Sequence, residues 1–172
     1  RESEGRFSVN NKESYSLGLK IALHRFTEES DRREALDTKA SLVLGFSGVL
    51  IAFLFDLFIG VVADLPGDLG GWLEYILLTT AITMILLAAL FSVKTIMIRE
   101  YRSGPGSSIL THWSENQEEV EMQKNLLRAY ALSYQNNWAQ NQGKYRLLHI
   151  CFVALGIGTI FAFLSFIIYI WI

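Results

Sequence analysis

The sequence is poor in the residues that build disulfide scaffolds and metal sites. Its one cysteine, Cys151, lies inside an apolar run, so no intrachain disulfide can form. The three histidines are scattered, and no histidine or cysteine pair has the spacing of a metal-ligand set, so we predict no metal site. No glycine-rich phosphate loop is present, and no arrangement of a nucleophile with its base is suggested. The sequence therefore predicts no catalytic residue and no resident cofactor, and we expect a protein that is not an enzyme.

Excess charge of either sign is also lacking. The formal net charge is -2, which is too small to make a nucleic acid polymer an electrostatic partner. What the chain has in excess is apolar side chains, at 51% of its residues, and its mean hydropathy is positive. A soluble domain of this length needs only ordinary composition, so the excess predicts residence in a membrane.

Proline is scarce as well, and both prolines, Pro66 and Pro105, fall between long apolar runs that no proline interrupts. At ~1.5 Å per residue each run can cross a ~30 Å hydrocarbon core. We therefore predict an all-α membrane protein with three transmembrane helices, at residues 40–63, 72–98 and 147–172.

The remaining segments are polar. Residues 1–39 are predicted to form an N-terminal helix that frays over residues 1–14, and residues 99–146 a second helical segment. The polar tract before Gly143 could interrupt that segment or leave it continuous. Residues 64–71 hold a proline and three glycines, so they are predicted to form a tight turn.

The lysines and arginines predict the direction of insertion. Of 15 in total, eight lie within residues 1–39, six within 99–146, and one is Lys94, near the end of the second run. The turn at 64–71 has none and carries two aspartates instead. By the positive-inside rule, the N-terminus and residues 99–146 are cytoplasmic, and the C-terminus is outside. Core helices of a soluble protein would have no reason to show this asymmetry.

One face of the first apolar helix is made of small residues and a single acid, at steps of three and four: Ser41, Gly45, Gly48, Ala52, Asp56 and Gly60. The second and third helices also carry small faces. Because helices in lipid associate through close backbone contact, such faces predict tight packing. In one interpretation they pack the chain's own three helices together. In the other, the face of the first helix builds a contact between subunits or lines a pore.

Asp56 distinguishes these interpretations. A carboxylate near a helix centre costs ~2.5–3.5 kcal/mol on insertion scales, and Asp56 lies beyond the midpoint toward the outer end, so its cost is smaller. Three roles were open for it. It could reach the outer headgroups, it could form a ring that lines or gates a pore, or it could bond to a threonine of the second helix. The candidate threonines are Thr79, Thr80 and Thr83.

Four aromatic residues in the predicted cytoplasmic segment could contact a ligand or a protein partner: Trp113, Tyr130, Tyr134 and Trp138. Aromatic platforms stack nucleobases, and aromatic side chains also pack helix against helix. The cytoplasmic residues are too few for a self-contained ligand domain, so a small-molecule site would have to form between helical arms or between subunits.

Two segments resemble a known family. The segment from Asp37 to Gly48, DTKASLVLGFSG, resembles the start of the first membrane helix in the transmembrane effectors of bacterial cyclic-nucleotide anti-phage systems, of the Pycsar type. The segment from Lys144 to Gly156, KYRLLHICFVALG, is similar to that family's last helix. The matching positions would be Asp37, Lys39, Gly45 and Gly48, which would orient the first helix at the inner interface and allow close packing.

The resemblance implies an effector in the bacterial inner membrane that permeabilises or depolarises it once infection is sensed, and so stops growth of the infected cell. We expect a homo-oligomer whose partners are the lipid bilayer and an activating signal, either a cyclic nucleotide or a soluble sensor protein. No nucleotide-contacting residue can be transferred, and the chain ends after the third span. Direct nucleotide binding and activation by a partner are thus both open. The alternative function is a structural or regulatory membrane subunit that recruits a soluble partner through its cytoplasmic helices.

Overall fold

The chain folds into four helices, and no strand occurs among the residues described. The structure is a computed structural model that describes the backbone of residues 2–63, 69–98, 101–116 and 118–171, with side chains from residue 14 to 170 outside 62–69, 99–100 and 116–117. The helices are α1 (Glu2–Ala63), α2 (Leu69–Met97), α3 (Ser107–Asn116) and α4 (Glu119–Trp171). Three of them are long and apolar enough to cross a membrane, as the sequence predicts.

Two helices are longer than expected. α1 begins at Glu2, so the fraying expected over residues 1–14 is not seen, and it continues without a break to Ala63. α4 contains the polar tract and Gly143, which leave it continuous. No proline lies in either helix, and a single glycine costs a helix only ~1 kcal/mol. The predicted span boundaries at 39/40 and 146/147 fall inside these helices and remain predictions of depth in the membrane.

The chain divides into two compact units. We call residues 1–34 with 99–142 the polar unit, and residues 35–98 with 143–172 the apolar unit. α1 and α4 contribute to both. α2 lies in the apolar unit, and α3 lies in the polar unit.

The apolar unit is held together by two groups of buried side chains. The first core cluster joins α1 to α4 and consists of Leu36, Ala40, Val43, Leu148 and Cys151, with Phe91 and Ile96 of α2 packed against it. The second core cluster joins α1 to α2 through Leu54, Val61, Leu78, Ala81 and Ile85. Along α1 the buried positions, together with the half-buried Leu50 and Leu57, follow steps of four and three from Leu36 to Val61, which is the spacing of a helix packed lengthwise on its neighbours.

The small faces of α2 and α4 lie inside this bundle. Ala81, Ala88, Ser92 and Thr95 of α2 are fully buried. On α4, Gly158 lies close against α2. A Cβ placed there would lie 2.6 Å from Cγ1 of Ile85 and 3.1 Å from the carbonyl oxygen of Ala81. The first interpretation of the small faces is therefore correct for these two helices.

Gly158 and Gly156 form a matched pair for testing this packing. Gly158→Ala is expected to lower stability by ~1–3 kcal/mol, because the new methyl group meets a backbone oxygen that cannot move aside. Gly156→Ala should be neutral or stabilising, since no heavy atom lies within 4 Å of the added carbon and alanine favours helix. Thermal unfolding in detergent measures both variants. Equal loss in the two would show that α2 and α4 do not meet at Gly158.

Candidate functional site

The small residues of α1 face away from the rest of the protomer. All six residues of this set, which we call the outer face of α1, are exposed: Ser41, Gly45, Gly48, Ala52, Asp56 and Gly60. A Cβ added at Gly45, Gly48 or Gly60 would meet no heavy atom within 4 Å. The chain's own helices therefore leave this face uncovered.

The buried positions of α1 lie on the opposite side of the helix. They are Leu36, Ala40, Val43, Ser47, Leu54 and Val61. At roughly 100° per residue the centres of the two sets are about 180° apart. α1 is thus a two-sided helix, with one side packed on α2 and α4 and the other available for a contact outside the protomer.

Asp56 is exposed on the outer face and makes no hydrogen bond or ion pair with any residue that the structure describes. Two of its candidate partners are occupied. Thr80 donates to the carbonyl of Ile76 at 2.7 Å, and Thr83 to that of Thr79 at 2.8 Å. The hydrogen bond to the second helix is therefore not formed. The protomer leaves this carboxylate exposed on the outer face of α1.

The motif residues Asp37 and Lys39 differ in their surroundings. Lys39 is exposed, whereas the Asp37 carboxylate accepts a hydrogen bond and ion pair from Lys144. Lys144 is fully buried. The two segments that carry the family resemblance are thus joined by one pair of charges, which sequence spacing alone could not reveal because the partners are 107 residues apart.

A ladder of polar side chains on α4 holds the polar unit together. Ser133, Asn137 and Asn141 follow one another at one-turn spacing, and all are buried. Asn137 pairs with both backbone groups of Arg102: its Oδ1 accepts from the N–H at 3.0 Å, and its Nδ2 donates to the carbonyl at 3.1 Å. Ser133 donates to the carbonyl of Ser103 at 3.3 Å. The connector that follows α2 is therefore fixed to α4.

Asn141 is the centre of this ladder. Its Nδ2 donates to the carbonyl of Glu29 at 2.8 Å and to Oε2 of the same residue at 2.7 Å. Its Oδ1 accepts from the hydroxyl of Tyr101, whose ring lies under the guanidinium of Arg33 at 4.2 Å. One buried amide thus binds α1, the connector and α4. No sequence pattern predicts that Asn141 joins these three segments, and the one signal for it is the polar tract in which Asn141 lies.

The four candidate contact aromatics differ in their surroundings. Tyr130 packs edge to face on Phe26 at 5.5 Å, and a Cβ on Gly104 would lie 2.8 Å from its ring. Its environment is that of a residue that packs helix on helix. Trp113 and Tyr134 are half-buried, and Trp138 is 46% exposed. Within the described side chains none of the four rings stacks on another.

The apolar unit also has a groove of about 640 Å³ between α1 and α4, lined by Phe46, Phe152, Leu155, Gly156, Thr159, Ile160, Phe163 and Leu164. The one polar side chain of this lining, Thr159, donates to the carbonyl of Leu155, and none of the lining residues is titratable. Nor do the described residues bring three metal-ligating side chains together.

Three apolar helices, a bundle packed through small residues and an uncovered outer face define a helical membrane protein. Residues 22–171 match the family model of the Pycsar effector protein domain. The chain belongs to this family, and it is a membrane effector of anti-phage defence. No curated protein and no solved structure matches it.

Asn141→Ala tests the ladder. The substitution removes two hydrogen bonds to Glu29 and one from the Tyr101 hydroxyl, and each such bond contributes about 1 kcal/mol to stability. Amide hydrogen exchange over residues 101–106 should accelerate. Gln135→Ala, at an exposed position of the same helix, is the control and should leave exchange unchanged. Unchanged exchange in Asn141→Ala would show that the connector is held by other contacts.

Proposed function

We propose that the protein oligomerises through the outer face of α1 and, on activation, permeabilises or depolarises the bacterial inner membrane, which stops growth of the infected cell. The observation that carries the proposal is that the protomer packs one side of α1 and leaves the opposite, small-residue side uncovered. In lipid, a face of this kind lets a second helix approach closely. The family supplies the defence context.

Asp56 supports an oligomer rather than a lone protomer in lipid. An exposed carboxylate on a membrane helix is costly unless it meets water or a partner. If several outer faces meet, their carboxylates come together at one depth. Rings of Asp or Glu line cation-conducting pores, so an assembly of this kind would admit cations and collapse the membrane potential.

Activation is proposed to act on the polar unit, on the cytoplasmic side as the lysine and arginine distribution predicts. A cyclic nucleotide or a soluble sensor protein is the proposed signal. Trp138, which is exposed on α4, is the aromatic residue best placed to meet either one.

The second candidate function is a membrane subunit that recruits a soluble partner through the polar unit. It is favoured by the exposure of large apolar side chains in that unit: Leu17, Ile21, Leu132 and Trp138. Pull-down with the full chain would then recover one specific protein, and Leu132→Ser with Trp138→Ser would release it. The membrane potential would not change on induction.

Gly48→Leu tests the proposed contact. The outer face has open space at Gly48, so the protomer should fold normally, whereas close approach of a second helix is blocked. Triggered expression of the wild type should collapse the membrane potential, and Gly48→Leu and Asp56→Leu should abolish the collapse. A potential-sensitive dye measures it in cells, and native mass measurement in detergent reports the oligomer.

Phe53→Leu is the control, since Phe53 is also exposed on α1 but lies roughly 90° around the helix from the centre of the outer face. It should retain both the collapse and the oligomer. A wild-type monomer, or a potential that stays intact while the cells die, would refute the proposal.

A further inference from the structure

Lys144 occupies an unusual position for a lysine in a membrane bundle. Lysines near the ends of membrane helices usually extend toward water, but the side chain of Lys144 is 0% exposed. It lies on the same side of α4 as Leu148 and Cys151, which belong to the first core cluster. Its ammonium is held there by the carboxylate of Asp37 on α1.

The two partners of this pair are buried to different degrees. The Asp37 side chain is 32% exposed, so it has access to solvent. The ammonium has no such access. Loss of one partner from a buried pair is costly when the remaining charge is buried, whereas replacing the buried charge by an apolar group of similar size is often neutral or stabilising. Removal of the Asp37 charge should therefore destabilise the contact between α1 and α4, whereas removal of the Lys144 charge should not.

The inner side of α1 contains, about 15 Å along the helix from Asp37, a polar group that the closed bundle does not satisfy. The hydroxyl of Ser47 is fully buried and has no hydrogen-bond partner within the described part of the chain. Other hydroxyls of the apolar unit, such as Ser41 and Ser92, donate to the carbonyl four residues earlier. Ser47 would gain a partner if water entered between α1 and α4.

We propose that the Asp37–Lys144 pair is a latch: while the Asp37 carboxylate compensates the buried Lys144 ammonium, α1 and α4 stay closed at this end of the apolar unit, and loss of that compensation draws the ammonium toward water and parts the two helices. In saying that this opening precedes permeabilisation, the inference rests on the proposed function. The closing itself does not depend on it. The latch assigns Asp37 a regulatory role beyond placing the helix at the interface.

The chain contains its own reporter of the opening. Cys151 is the one cysteine, is fully buried and lies seven residues after Lys144 on the same side of α4. A thiol among apolar side chains does not react, because the thiolate that attacks the reagent needs water. Labelling of Cys151 by N-ethylmaleimide in isolated membranes therefore measures how often α1 and α4 part.

The variants are Asp37→Asn, which keeps shape and removes the negative charge, and Lys144→Met, which keeps volume and removes the buried positive charge. Asp37→Asn is expected to label at least about tenfold faster than wild type, since tenfold requires only ~1.4 kcal/mol. Lys144→Met should label at the wild-type rate or more slowly. Glu34→Gln, an exposed carboxylate three residues before Asp37, is the control and should match wild type.

Complete labelling in denaturant and equal amounts of each variant in the membrane fraction separate opening from misfolding. If Asp37→Asn does not accumulate, Lys144→Met added to it should restore both accumulation and slow labelling, because no buried charge is left. Failure of that rescue would overturn the latch, as would faster labelling in both single variants or in neither.

The membrane potential is followed in the same cells. If Asp37→Asn labels faster than wild type and Lys144→Met does not, but wild type never depolarises the membrane, the latch is supported and the proposed function is refuted. Depolarisation by wild type without that order of labelling refutes the latch and leaves the proposed function standing.

Discussion

Helix association in lipid lacks the drive that folds soluble proteins, because the surrounding chains are as apolar as the side chains that would be buried. Close contact between backbones has to replace that drive, and it is available only where side chains are small. The apolar unit follows this constraint at Gly158, which lies against Ile85 and the backbone of Ala81. The same constraint explains why a membrane helix whose small face is left uncovered is an incomplete structure. The outer face of α1 has the composition that close packing needs and no partner in its own chain.

Lys144 and Asp56 show how the chain distributes its charged groups. Lys144 is buried and paired, and its pair stabilises the closed form of the protomer. Asp56 is exposed and, among the described residues, unpaired, so its environment is completed only outside the protomer. One charge therefore favours a closed protomer, and the other favours assembly. A resting state and an active state of the same chain would differ in which of these two requirements is met.

The fold was largely predictable, because span length and composition are properties of contiguous sequence. The three apolar helices and the α-helical class follow from such runs. The lengths of α1 and α4 were less predictable, since a polar tract and a glycine leave continuity open and tertiary packing decides it. Asn141 could not be found as a packing centre from sequence, because its partners Glu29 and Tyr101 are distant in the chain.

The candidate site was predictable only as a set of residues, not as a surface. All three apolar helices carry small faces, and composition alone does not indicate which of them meet inside the protomer. The deciding signal on α1 is the second pattern that the helix carries, a row at steps of four and three from Leu36 to Val61 in which every residue but Ser47 is apolar and Leu50 and Leu57 are half-buried. That row provides large side chains for the core, so the bundle forms without the small face. A helix that needed its glycines for internal packing would have buried them, and α4 does so at Gly158. The spare small face of α1 is therefore evidence for a contact that the protomer alone cannot make.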